Sequence, residues 1–529
     1  MSAIIKNKSG KYTYLYESTS YRDKNGNPRS KRVCIGRVDP ITGEDVFYPE
    51  YIERTLGTDR QPKFGGAEKL FSINDIKASR NREYGVQYLF DHIAETTGLI
   101  DVAKMVLPNV YERVLALAYF MVASGEPALY CEDWLNRTDS IDSGEMSSQK
   151  ISELLLSISD SERMTFYEEW CKHRQEQEYF ALDITSVSSY SELIGDVAWG
   201  YNRDKEKLPQ INICMLVGEQ SKLPIFSIVY NGALKDVSTL KSTLAVLSGI
   251  DMKKILIVMD KGFASKKNID AMLDDKDGIQ FLMALPFTMK FAKAQVEGER
   301  KDIDALKNTI VIGGDTLRGV TKVRAWDANH KITTHIYCNS ALVAERRNRL
   351  YGHVTELRDK AEADPFNEKH AAEFKKYLTI RHSSANSKSA TVSIREDIIE
   401  KELSLAGWMV AVCNSDTTAK DALTTYRAKD VVEKGFLMLK SCLDVARLRV
   451  HSDMAMQNKI FIGFISLILV AHIHKVMSEK ELYKRFTMKK LFKSLETLRV
   501  QYIKEQRILY PPTSQHKDIF EAFGFPLPL

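Results

Sequence analysis

Ile255-Leu256-Ile257-Val258-Met259-Asp260-Lys261-Gly262 is a run of five apolar residues that stops at a carboxylate and a turn. Five aliphatic side chains without alternation suit a strand covered on both faces, as in sheets flanked by helices. Upstream, Phe180-Ala181-Leu182 leads into Asp183 in the same manner, so residues 178–183 read as a short strand ending at that aspartate. Two more strands fit Ile211–Val217 and Leu223–Tyr230, joined by the polar link Gly218-Glu219-Gln220-Ser221-Lys222. A helix is expected from Asp236 to Leu247 and a further strand from Gln280 to Leu285. Three meandering strands, a helix and a buried strand make a mixed α/β sheet.

The pattern changes on both sides of this centre. Near the start, Tyr12–Tyr16 and Lys31–Gly36 alternate like strands around Asp23-Lys24-Asn25-Gly26-Asn27-Pro28, whose Asn-Gly favours a hairpin. Lys24, Arg29, Lys31, Arg32 and Arg37 cluster there; the segment reads equally as a solvated hairpin and as a basic ribbon for DNA. Residues 65–178 are helical in pattern, with apolar positions three and four apart in Val110–Ala123 and Gln149–Trp170. Ser147–Ser152 could open the second helix of a helix-turn-helix or belong to plain helical packing. Short strands fit 309–312, 319–325, 332–338 and 408–413, around a charged helical region from Ala341 to Tyr377. From Thr424 the chain reads as helical almost to its end. The expected segments are therefore 1–64, 65–178, 179–285, a β-rich insertion at 286–415, 416–475, and a basic helical region at 476–529.

With 529 residues, several structural units are expected. Lys plus Arg number 75 against 70 Asp plus Glu, and the resulting +5 argues against a simple polybasic binder. A polyanion senses local charge, however, and Lys475–Arg507 alone carries ten basic residues against four glutamates. The seven cysteines are scattered without a C-x-x-C pair, the pattern of reduced thiols. The N-terminus has no secretory pattern, and the most apolar stretch, Ile460–Ala471, is shorter than the roughly 20 residues of a membrane span. A soluble cytoplasmic protein without a membrane partner is expected. Neither G-x-x-x-x-G-K-[ST] nor G-x-G-x-x-G occurs, so nucleotide-hydrolysing and dinucleotide enzymes have no support.

Asp183 and Asp260 lie where α/β sheets gather their ligands, outside the carboxyl ends of strands. A strand-terminal aspartate also serves as a cap or turn residue, but the apolar runs before these two keep both out of freely solvated loops. Brought together, they would repel and need a cation to stay ionised. A third carboxylate, Glu433, sits in Tyr426-Arg427-Ala428-Lys429-Asp430-Val431-Val432-Glu433, followed by Lys440. On one continuous helix, Tyr426 and Lys440 fall within about 20° of Glu433 and Lys429 within about 40°. Val432, Phe436, Leu439 and Leu443 form an adjacent apolar stripe suited to packing on a sheet. The alternative is a surface helix with an ordinary Lys-Glu pair.

Tyr426, Lys429, Glu433 and Lys440 resemble the Y-(2)-R-(3)-E-(6)-K signature of bacterial insertion-sequence DDE transposases, with lysine at the usual arginine position. Asp183 in Ala-Leu-Asp-Ile-Thr-Ser and Asp260 in Val-Met-Asp-Lys-Gly-Phe resemble that family's two catalytic aspartates. Trp199-Gly200-Tyr201-Asn202-Arg203-Asp204 and Tyr230-Asn231-Gly232 are also similar to this branch. The resemblance implies an RNase H-like catalytic core interrupted by a β-rich insertion. It implies Asp183, Asp260 and Glu433 as metal ligands for two Mg²⁺ ions, for which Mn²⁺ can substitute, and Tyr426, Lys429 and Lys440 as phosphate contacts. Trp199 and Arg203 are candidate DNA contacts, and Trp199 and Tyr201 would suit either base stacking or the core. The implied partners are transposon-end DNA with terminal inverted repeats, target DNA, and a second copy in a synaptic homodimer. A nuclease of the same fold that never joins, or a transposase-derived DNA-binding protein without catalysis, are the competing readings.

Overall fold

The computed structural model describes residues 2–10, 12–40, 43–48, 51–52, 78–141, 144–174, 180–202, 206–249, 255–274, 278–382, 390–441, 448–504 and 506–528. The chain divides into two compact units. The smaller comprises Met1–Thr97, Glu112–Ile151 and Ile473–Leu529. It opens with an antiparallel meander of β1 (Ser2–Ser9), β2 (Tyr12–Arg22), β3 (Pro28–Val38) and β4 (Asp45–Phe47). The expected hairpin is its centre, β2–β3, and its small core is Leu15, Ile35 and Tyr51. A second sheet pairs β5 (Arg80–Glu83) with the strand Arg499–Ile503 and that strand with Gln506–Leu509. Helices Gly85–Thr96 and Met488–Leu495 meet through Phe90 and Phe492, edge to face at 5.7 Å.

The C-terminal region thus departs from the helical expectation. Arg499–Ile503 and Gln506–Leu509 pair as a hairpin with Val500 and Ile503 buried, a short pattern that the surrounding lysines and arginines obscure. The basic run from Lys475 is spread over a helix end, a short helix and this hairpin. Several of its charges are spent on ion pairs, Arg485 with Asp518, Arg499 with Glu83 and Arg507 with Asp139.

The larger unit, Gly98–Tyr111 with Ser152–His472, is built on one nine-stranded sheet. Its first strands are β6 (Phe180–Ser188), β7 (Gln210–Gly218) and β8 (Pro224–Asn231), an antiparallel meander. The helix Asp236–Gly249 then carries the chain across to β9 (Leu256–Met259), parallel to β6, and the helix Lys266–Leu273 leads to β10 (Gln280–Ala284), parallel to β9. Phe180, Ile257, Val258, Met259 and Phe281 are all buried, the two-sided covering that their unbroken apolar runs require.

β11 (Thr309–Ile312), β12 (Asp315–Ala325), β13 (Lys331–Cys338) and β16 (Trp408–Cys413) extend the same sheet, in the order β11-β12-β13-β16-β10-β9-β6-β7-β8. Between β13 and β16, the helices Ser340–Ala363, Ala371–Tyr377 and Glu396–Leu403 and the hairpin of β14 (Leu378–His382) and β15 (Ala390–Ile394) gather around Val354, Leu357, Phe374 and Ile399. The helix Asp160–Arg174 covers β8: the Trp170 indole donates to the Pro224 carbonyl at 2.9 Å, and the Tyr167 hydroxyl pairs with Ser227 at 2.8 Å. The helix Asp453–Glu479 is more than twice as long as its apolar centre suggests. It is long and apolar enough to cross a membrane, but 78% of its most apolar window is buried inside the protein, so its apolar surface is spent on the core.

Candidate active site

β6 does not stop at Asp183; it continues to Ser188, and Asp183 is its fourth residue. The strand is longer than its sequence suggests because Thr185, Ser186 and Ser188 are small enough to be buried beside β7, which hides the apolar pattern. The parallel register with β9 ends at Leu182 opposite Met259, so the next residues on the two neighbouring strands are Asp183 and Asp260. Adjacent strands lie about 4.8 Å apart, and residues in register share a side of the sheet. The two aspartates are therefore neighbours by topology. Asp183 Oδ1 also accepts from the amide of Ile184 at 2.8 Å.

The third carboxylate arrives on a broken helix. Ala419–Ala428 and Asp430–Ser441 are separate helices, and Lys429 is the hinge residue between them, so no straight stripe joins Tyr426 to Lys440. The break changes the geometry without dispersing the residues. Tyr426 donates its hydroxyl to Asp260 Oδ1 at 2.8 Å. The Lys429 side chain is only 7% exposed, and its ammonium lies 2.8 Å from Glu433 Oε1. Val432, Phe436 and Leu439 are buried as their spacing requires, and the Glu433 helix packs on β6 and β7. A Cβ on Gly435 would stand 3.9 Å from the sulfur of Met215, which is the register partner of Asp183. The helix therefore crosses the sheet at the level of the first aspartate. Leu443 lies outside the described residues.

Electrostatics ties these groups together. Burial by itself would press the Lys429 ammonium toward neutrality. The ion pair with Glu433 and the charges of Asp183 and Asp260 outweigh that effect and hold its pKa above the ordinary value. Burial pushes the Tyr426 phenol up, and the charges of Asp260, Glu433 and Asp183 push the same way, so it stays protonated as a donor. One ammonium and one phenol thus sense all three carboxylates.

Beside Asp260 and Tyr426 opens a cavity of about 580 Å³. Lys261, Arg346 and Arg427 bring cations to it, and Phe287, Tyr337 and Trp408 bring rings. Arg346 and Trp408 escape a motif-based reading because they come from distant parts of the chain, whereas Lys261 and Arg427 adjoin motif residues and could have been marked. Arg427 also pairs with Asp315 at 3.0 Å.

The remaining candidates sit apart. Trp199 is 68% exposed and Tyr201 83%, so neither belongs to the core. Their loop is held instead by close backbone packing: a Cβ on Gly200 would lie 2.0 Å from the Gly232 carbonyl oxygen, and Gln210 donates to the Tyr201 carbonyl at 3.0 Å. The Gly200 and Gly232 motifs thus serve the fold directly. Lys440 lies two turns beyond Glu433, about 10 Å along the helix. Arg203 lies outside the described residues.

The donors near Asp260 are oxygens only, which suits a hard divalent cation. Among the described residues, no group of three or more His, Cys, Asp or Glu side chains is gathered closely enough to hold one. The two neighbouring aspartates fit such an ion, while Glu433 Oε1 is paired with the Lys429 ammonium.

The model of the transposase DDE domain family matches residues 174–469, more than half of the chain. The chain belongs to the DDE transposase family. Among solved structures, this transposase is similar to the cryo-EM structure of a piggyBac transposase synaptic complex with hairpin DNA. The likeness covers 84% of this chain and 75% of the other at 12% identity and a TM-score of 0.35. No curated protein sequence matches it. The matched span of the transposase contains Asp183, Asp260, Tyr426, Lys429, Glu433 and Lys440, and so every residue of the site built above.

Proposed function

We propose that this transposase cuts the ends of a mobile DNA element and joins them to target DNA, with Asp183, Asp260 and Glu433 as its catalytic carboxylates. The observation that carries this reading is the register of β6 and β9, which makes two half-buried aspartates neighbours beneath the helix of a third carboxylate. The strand order β8-β7-β6-β9-β10, with β7 alone antiparallel to the other four, supports an RNase H-like core with the segment 286–415 inserted into it. In the first step a water oxygen attacks the phosphorus, the bond to the 3′ oxygen breaks, and a 3′-hydroxyl is released. In the second that hydroxyl attacks a target phosphodiester and displaces a new 3′-hydroxyl.

Mg²⁺, or Mn²⁺ in its place, would supply polarisation of the scissile phosphate and of the attacking oxygen when held by the three carboxylates. The chain's own side chains do the rest. Tyr426 fixes the Asp260 carboxylate by its hydrogen bond. Lys429 neutralises Glu433 and can turn its ammonium to a phosphate oxygen as DNA arrives. Lys261, Arg346 and Arg427 give the neighbouring cavity the charge to take a phosphodiester. Lys440 and Arg203 extend the backbone contact, and the exposed ring of Trp199 offers a stacking platform for an unpaired base. Two ends must be cut in concert, which calls for a homodimer at the synapsis of terminal inverted repeats. The site of action would be chromosomal DNA in the cytoplasm of a prokaryotic cell.

The test uses a labelled duplex of the DNA that flanks the coding sequence, with the full chain and Mg²⁺. Wild type should yield nicked and then joined product. Asp183→Asn and Asp260→Asn should yield neither while still shifting the duplex on a gel. Cleavage by either variant at the wild-type rate would remove the carboxylate assignment; nicking without joining would make the chain a nuclease.

A further inference from the structure

The β2–β3 hairpin reaches beyond the sheet that anchors it. β1 pairs with β2 only as far as Thr19, and β4 pairs with β3 only at Gly36–Val38. Three residue pairs therefore stand without a flanking strand among the described residues: Ser20–Ser30, Tyr21–Arg29 and Arg22–Pro28. They are closed by the turn 23–27. At about 3.4 Å per residue the free pairs span roughly 10 Å, already more than the ~8.5 Å depth of a DNA major groove. Pro28 to Cys34 are all exposed, and Tyr21 is 53% exposed. Burial of apolar surface does not explain why this ribbon is built.

Its charge is one-sided. Residues 18–33 carry Arg22, Lys24, Arg29, Lys31 and Arg32 against Asp23 alone, five minus one, or +4 within a chain whose total is +5. The single acid belongs to the turn. Asp23 Oδ1 accepts from the amides of Asn25 and Asn27 at 3.0 and 2.9 Å, and its other oxygen takes Arg29 Nε at 3.3 Å. Arg22 donates to the Gly26 carbonyl at 2.8 Å, and Gly26 has φ +79°, open to glycine without strain. The tip is thus fixed before any partner arrives. Edge strands often carry a lysine to prevent pairing with other chains. One or two charges suffice for that, and small hydroxyls such as Ser18, Ser20 and Ser30 are not needed.

The register sorts the cations onto both faces. Arg29 stands opposite Tyr21, and Lys31 opposite Thr19, on one side; Arg22 and Arg32 lie on the other. A ribbon that met a flat acidic surface would need cations on one face only. Cations on both faces, behind a polar tip, match a groove with a phosphate wall on each side. The major groove admits a two-stranded ribbon, and an asparagine at its floor can pair with adenine.

We propose that this ribbon enters the major groove of the element's end DNA tip first, Lys24 and Asn25 reaching base edges while Arg22 and Arg32 meet one phosphate wall and Arg29 and Lys31 the other. The inference rests on the reading of the chain as a transposase and names the element that recognises its ends. The test measures fluorescence anisotropy of the full chain, with Ca²⁺ in place of Mg²⁺, on the flanking-end duplex and on a scrambled duplex over a range of salt. Lys31→Gln/Arg32→Gln should bind both duplexes at least tenfold more weakly, and its slope of log affinity against log salt should be shallower by about two. Asn25→Ala should reduce the end-over-scrambled preference about tenfold at an unchanged slope. Unchanged affinity and slope in the double variant, with wild-type thermal unfolding, would overturn the proposal, and an unchanged preference in Asn25→Ala would overturn the tip-first contact. Asp183→Asn separates the two readings: if it still cleaves, the catalytic assignment is lost whatever the ribbon variants do.

Discussion

Lys429 is the residue on which the site turns. Its ammonium is buried, yet its partner Glu433 is 57% exposed, so the pair is a hinged clasp rather than a sealed ion pair. Where the Y-(2)-R-(3)-E-(6)-K signature has arginine, this chain has a point charge on a flexible stem, which loses the two-pronged grip on phosphate. Lys429→Met keeps the length of the side chain and removes its charge. Glu433 can stay hydrated, so folding should be little affected, while Asp183 and Asp260 lose the neighbouring cation that offsets their charge. Cleavage in single-turnover assays should fall on the order of 100-fold. Lys429→Arg should stay within about threefold of wild type or exceed it, since it restores the charge with a better phosphate fork. A Met variant that cleaves at the wild-type rate would leave the clasp without a role. Tyr426→Phe tests the neighbouring contact; losing the donor to Asp260 should lower stability by about 1 kcal/mol in urea titrations and slow cleavage as the carboxylate loses its orientation.

At the scale of elements, the Glu433 helix is positioned by what lies under Gly435. A methyl group there would meet only ordinary contacts, Leu467 at 3.8 Å and Met215 at 3.9 Å. Gly435→Ala should therefore raise stability by up to about 1 kcal/mol through helix propensity, with cleavage retained. Gly435→Leu should push the helix off β7 and carry Glu433 with it, so cleavage should drop well beyond any change in the unfolding midpoint. Equal loss in both measurements would mean that the helix does not position the glutamate. The pairing of sheet and helix was legible in the apolar runs before Asp183 and Asp260 and in the spacing of Val432, Phe436 and Leu439, because burial on a sheet imposes those patterns. The helix break was not legible, since Ala428-Lys429-Asp430 contains neither glycine nor proline and only tertiary packing decides it. Nor was the true length of β6, where hydroxyl side chains replace aliphatic ones under cover. That β11, β12, β13 and β16 continue the sheet bearing Asp183 and Asp260 is likewise a matter of long-range pairing, which local periodicity does not encode.

Across the whole molecule, a buried histidine in the larger unit and a half-buried aspartate in the smaller answer acid in opposite directions. In the larger unit His335 is buried in β13, with Nδ1 2.9 Å from the Thr321 hydroxyl and Nε2 3.4 Å from Cys413 Sγ, and burial lowers its pKa to about 4. Its folded pKa lies below the ordinary 6.5. The stability it contributes is therefore complete above that value and lost as pH falls toward 4, about 3 kcal/mol in all. In the smaller unit Asp91 accepts from Gln87 Nε2 at 2.8 Å. Burial raises its pKa to about 6, with the charges of Glu95 and Asp139 adding to the rise. An acid whose folded pKa is raised favours the protonated form. Its contribution is complete below the ordinary 3.8 and lost as pH climbs through 6, again about 3 kcal/mol at most. Acidification from pH 7 to 4.5 should thus weaken the packing around His335 and strengthen that around Asp91. Peptide-resolved hydrogen exchange, corrected for the intrinsic pH dependence of exchange, should show protection falling around Lys331–Cys338 and rising around Gly85–Thr96. His335→Gln should abolish the first change and leave the second, and Asp91→Asn the reverse. If both segments lose protection together in the wild-type chain, neither group governs the segment around it.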